Sequence, residues 1–142
     1  MKITNYIESP KKFNVEELLQ FVAEQLGIGE EVELTVMYND RLLDRLSKDV
    51  EFQAMLQNPV GHKYLLMIRE GVAGLQYIIC HEMVHLKQYE SGRLAMSSDY
   101  KTVTWEGKEF DYTSDYFERE WEEEARSEEN RLWKLFKKHK KE

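Results

Sequence analysis

The chain has 142 residues and a net charge of −7, with 42% hydrophobic and 33% charged residues but only 2 Pro, 7 Gly and 1 Cys. That is the length of a single ordinary domain with one sizeable core, and the composition excludes collagen-like, linker-like and disordered classes. The acidic balance works against nucleic acid and anionic membranes as partners, and a lone cysteine forms no internal disulfide.

No apolar run approaches the ~20 residues that span a bilayer, and the opening from Met1 to Tyr6 lacks the apolar core of a signal peptide. The expectation is a cytoplasmic protein of one domain, 1–142, whose oligomeric state the sequence leaves open.

In chain order, Asn14 reads as a helix cap. Glu17 is placed to reach back to it, and Phe13 to staple onto Leu18. Leu18, Leu19, Phe21, Val22 and Leu26 supply the apolar face, and Gly27 the stop. Residues 32–38 alternate and are β-branched, which predicts a strand ended by Asn39 and Asp40. Ser47 is placed to cap a short helix through Phe52, Met55 and Leu56, stopped before Asn58 and Pro59. Residues 62–69 read as a more buried strand ended by Gly71.

The run from Val72 to Tyr89 is apolar for too long to be a strand, and Ser91 and Gly92 close it. It reads as the most buried helix of the domain. Residues 102–105 and 108–112 flank Glu106 and Gly107, which fits a β-hairpin. From Asp115 a long helix follows, with Phe117, Trp121, Ala125, Leu132, Leu135 and Phe136 on one stripe. Glu crowds its start and Lys its end, which suits the helix dipole. The order of elements predicts an α+β domain.

The chemistry concentrates in His81-Glu82-Met83-Val84-His85, inside the buried helix. A spacing of four puts both imidazoles on one face, where they can take two corners of a tetrahedral zinc site. Glu82 lies one step round the helix, suited to act as base on a water rather than as ligand. Polar groups this dense in an apolar helix would be costly without a compensating role.

A catalytic zinc needs a third protein ligand and one open position. A third His in the extended pattern would need Gly at 88 and His at 91, where the chain has Gln88 and Ser91. His62 and His139 are the remaining histidines. An acidic ligand from the later helix is more natural, and Trp121-Glu122-Glu123-Glu124-Ala125 supplies candidates. Helix phase alone leaves Glu122 and Glu124 both open, and Glu118 is near. Glu123 reads as a solvated face, and Cys80, rotated about 100° from His81, as an inert core thiol. Tyr112 and Tyr116 are candidate oxyanion stabilisers beside the ordinary reading of amphipathic packing.

These motifs resemble the gluzincin metallopeptidases, in which a Glu on a helix downstream of H-E-x-x-H completes the site, often with a small residue three places later. Glu122 followed by Ala125 is similar to that spacing, especially to small metallopeptidases of bacteria and phage that carry a W-E-x-E-A segment. The short motifs cover only 81–85 and 121–125, and the order of elements is similar over 62–136.

The resemblance implies a zincin-like fold: a small mixed sheet packed on a buried metal helix, then a hairpin, then a long C-terminal helix carrying the third ligand. It implies one Zn²⁺ on His81, His85 and Glu122, with Glu82 as general base in the hydrolysis of a peptide or protein substrate. It also implies that the strand at 62–69 is the edge that pairs with extended substrate. The rival readings are a zinc-stabilised binding module without peptidase activity and a metal-free acidic adaptor. The retained Glu82 argues against the first, because a structural ion has no use for a base.

Overall fold

In the computed structural model, which describes residues 1–46, 53–97, 101–111 and 119–141, eleven elements build two sheets and four helices. A strand β1 (Lys2–Asn5) leads through α1 (Val15–Leu26) to β2 (Glu33–Tyr38), the right start for a parallel pair. Asn14 accepts a hydrogen bond from the Glu17 backbone N–H at 2.9 Å, as expected of the cap. The Glu17 carboxylate does not fold back onto it but takes Lys140 of the last helix at 2.6 Å. Gly27 ends α1 in the left-handed conformation at φ 67°, as a helix C-cap requires.

Asn39 ends β2 and at once starts a short helix α2 (Asp40–Leu46), its side chain accepting from the Leu42 N–H at 3.1 Å. The expected helix through Met55 and Leu56 is instead a strand, β3 (Ala54–Val60); the Ser47 and Phe52 end of that expectation lies outside the described residues. Pro59 argues for a helix stop in the sequence but does not exclude a strand. A proline is tolerated on an edge strand where pairing slips, and the register of β3 shifts between Gln57 and Val60.

Asn58 then donates to the Gly61 and Lys63 carbonyls and turns the chain into β4 (Lys63–Ile68). The first sheet runs β1-β2-β4-β3, parallel except for β3. Leu34, Val36, Tyr64, Leu66 and Ile68 enter one core with Leu18, Leu19 and Val22 of α1. The strand at 62–69 is therefore interior, and the sheet's two edges are β1 and β3.

After turns with positive φ at Gly71 and Gly74 comes α3 (Leu75–Glu90), starting three residues later than expected. A three-stranded antiparallel sheet follows, β5 (Leu94–Met96), β6 (Thr102–Trp105) and β7 (Lys108–Asp111), in that order. The β6–β7 hairpin is the expected one. Glu106 and Gly107 both have positive φ, 48° and 84°, the backbone of a type I′ turn.

The last helix, α4 (Glu120–Lys141), packs mainly along α3. Trp121, Ala125, Leu132, Trp133 and Phe136 are its buried face, whereas Leu135 sits at the margin. Residues 112–118, with Phe117, lie outside the described residues. No described helix is long and apolar enough to cross a membrane. The domain is mixed α+β, with α3 buried beneath the first sheet and α4 against it.

Candidate metal centre

One turn of α3 separates His81 from His85, and their rings meet edge to face at 4.8 Å. The two Nε2 atoms are 3.2 Å apart. Glu122, from the first turn of α4, brings Oε1 to 2.9 Å from the His81 Nε2 and 3.0 Å from the His85 Nε2. Three ligand atoms at about 2.0–2.1 Å from one tetrahedral ion lie about 3.3 Å from each other. The observed triangle has nearly those edges, so His81, His85 and Glu122 can hold a metal ion.

Side chains behind the imidazoles fix which nitrogen offers its lone pair. The His81 Nδ1 is 2.8 Å from Glu129 Oε2. A carboxylate only accepts, so Nδ1 carries the proton and Nε2 is free to bind. The His85 Nδ1 is 2.7 Å from the side-chain oxygen of Gln88, whose amide nitrogen donates to the Trp121 carbonyl and to Glu124, both at 3.0 Å. With its NH₂ so engaged, Gln88 presents its oxygen to His85, which again donates from Nδ1. Both Nε2 atoms thus point at the same place, facing Glu122 Oε1, where either a proton or a metal cation fits between them.

The electrostatics agree. Burial opposes charge on His85, yet the hydrogen bond and charge of Glu122, with help from Glu82 and Gln88, lift its pKa to about 9. His81 is raised likewise against its burial. Burial pulls Glu122 upward, but hydrogen bonds from both histidines overcome it and hold its carboxyl well below the usual range. The site favours positive charge. Glu82 behaves differently: burial dominates and pushes its carboxyl above the ordinary value, the direction useful to a general base.

A cleft of about 520 Å³ opens over the cluster. Its walls are β3, with Ala54 to Asn58, and β5, with Leu94 to Met96, and Glu82, His85 and Glu122 are exposed to it. Glu82 also borders a smaller recess shared with His81 and Glu129, so it stands beside the ligand atoms rather than among them.

Of the other candidates, Glu124 turns away from the cluster to Arg93, which grips its two oxygens at 2.9 and 2.8 Å. Glu123 is exposed. Cys80 is fully buried, and burial pushes its thiol up to about 12, which fits an inert core residue. Tyr112, Tyr116 and Glu118 lie outside the described residues. His139 packs on Phe21, and exposed His62 pairs with Glu90 at 2.9 Å. With Glu31, His62 and Glu90 make a second, more exposed group that could hold a metal ion.

Sequence reasoning missed Gln88, Glu129 and Arg93. Glu129 had a usable signal: seven residues after Glu122, two helical turns on, it must share that face. Gln88 had a weaker one, a polar residue in a buried helix three places after His85.

Comparison of the chain with protein-family models, with curated proteins and with solved structures finds no match.

Proposed function

We propose that this chain is a zinc-dependent peptidase of the gluzincin type. One observation carries the reading: two histidine nitrogens and a downstream glutamate oxygen converge to 2.9–3.2 Å beside a cleft that Glu82 also lines. Two neutral imidazoles and one carboxylate are the donor set of catalytic zinc with an open position, whereas structural sites close all four. When bound, such an ion polarises a water and a carbonyl oxygen, the chemistry of metal-assisted hydrolysis.

The protein's own part falls to Glu82. Its carboxylate takes the proton of the attacking water and delivers it to the leaving nitrogen, and its raised pKa favours the first of these transfers. The outer edge of β3 offers main-chain hydrogen bonds to an extended peptide lying along the cleft, with β5 opposite. This gives β3 the substrate-pairing role expected of residues 62–69. A zincin-like architecture is part of the same proposal, supported by the strand, metal helix, hairpin, ligand helix order.

The test pairs metal analysis with a broad peptide library. Zinc-loaded wild-type protein is expected to cleave flexible peptides and to stop in chelator. Glu82→Gln should keep its zinc and its fold yet lose about 10²–10⁴-fold in rate, because an amide cannot accept the proton. Cleavage undiminished in Glu82→Gln would refute the mechanism. Stoichiometric zinc with no cleavage by wild type would leave a metal-stabilised binding module.

A further inference from the structure

We infer that Arg93 is a positioning residue of the metal centre, holding His85 in its metal-binding form through Glu124 and Gln88. The inference rests on reading His81, His85 and Glu122 as metal ligands and needs no assumption about hydrolysis.

Arg93 stands between the end of α3 and the start of β5, at the rim of the domain rather than at the cluster. Its guanidinium lies 4.6 Å over the Trp105 ring of β6 and has Glu106 at 3.6 Å. From that seat it donates from both terminal nitrogens to the two oxygens of Glu124. The fork geometry matters, because it fixes the carboxylate plane as a single ammonium would not. Glu124 Oε1, so held, also receives the amide of Gln88 at 3.0 Å.

Gln88 is 1% exposed and has one orientation that satisfies this arrangement, NH₂ toward Glu124 and the Trp121 carbonyl, oxygen toward His85. The reverse orientation would set its oxygen against an anion. It would also force His85 to accept at Nδ1 and carry its proton on Nε2, the atom that must bind metal. Arg93 has a second effect: it keeps Glu124, two residues from Glu122, from turning in as a competing ligand. The paired glutamates of the W-E-x-E-A segment thus divide the work, Glu122 as ligand and Glu124 as the support of a ligand.

The bland alternative is an ordinary surface ion pair, since the Arg93 and Glu124 side chains are 39% and 31% exposed. Such a pair contributes little to stability. The two views differ in sign at the metal. Taking a positive charge away from the vicinity of a cation should, by charge alone, tighten metal binding. Loss of positioning should weaken it.

The experiment is competition for zinc between a chelating indicator and five proteins: wild type, Arg93→Gln, Arg93→Lys, Glu124→Gln and the Arg93→Gln/Glu124→Gln double variant. Melting in excess chelator confirms that each is folded. Arg93→Gln is expected to weaken zinc about tenfold, the low end for loss of an outer partner of a metal-bound histidine. Arg93→Lys should recover part of that loss, and the double variant should bind no more weakly than Glu124→Gln, because both changes break one chain. Zinc bound as tightly or more tightly by Arg93→Gln, or losses that multiply in the double variant, would overturn the inference while leaving the metal site standing. Wild type that binds no zinc would overturn the metal site itself, and this inference with it.

Discussion

His85 sits under two opposed demands. It is buried, which disfavours charge, and it faces Glu122, which favours it, with the result that its pKa rises to about 9. In the metal-free protein this proton stands where a metal would. A histidine whose folded pKa lies above its ordinary value of about 6.5 adds stability that is fully present below that value and is lost as pH climbs through 9. A metal must displace the proton, so its binding strengthens over the same window. Glu122, held low, stays ionised throughout that window, and its own contribution fades only on acidification below the usual carboxylate range. Melting with and without chelator should therefore show a zinc-induced rise in Tm that grows between pH 6.5 and pH 8.5. A rise that shrinks over this interval would show that the imidazoles are not the ligands.

At the scale of elements, the centre depends on how closely α4 can lie against α3. Ala125 is fully buried on the α4 face that also carries Glu122 and Glu129. Ala125→Leu should overpack this contact at about 1–3 kcal/mol, read as a lower Tm in chelator, and should lower zinc content by lifting Glu122 away. No change in either quantity would mean that Ala125 does not set the helix spacing. The same pair of helices shows what a sequence can reveal. The spacing of His81, Glu82 and His85 is local to one helix, and Glu122 with Ala125 is local to another, so both halves were readable. The roles of the outer partners Gln88, Glu129 and Arg93 were not, because they are set by tertiary contacts across 31 to 48 residues. Short strands failed for a like reason. The four-residue β1 and three-residue β5 carry too little alternation to register and owe their existence to neighbours, β2 and β6. In β3, Met55 and Leu56 looked helical beside a proline, and only pairing with Leu66 and Met67 of β4 makes them a strand.

At the scale of the molecule, two sheets with separate apolar clusters flank one cleft, and α3 and α4 join them. Trp121 packs with Leu94, Val103 and Trp105 of the smaller sheet, while Ala125, Leu132 and Phe136 of the same helix enter the main core. The helix that offers Glu122 is therefore also the brace between the halves. His85 and Glu122 stand 37 residues apart in sequence, yet their ligand atoms are 3.0 Å apart. An ion shared between them would close that stretch of chain into a ring. Treated as a cross-link, it removes freedom from the unfolded chain equivalent to about 4 kcal/mol. Unlike a covalent bridge, it opens to any strong chelator. A backbone nick at the exposed Glu106–Gly107 turn would then leave two fragments held by a bound ion as well as by the packing of α3 on α4, and withdrawing the ion would remove the stronger tie at one step.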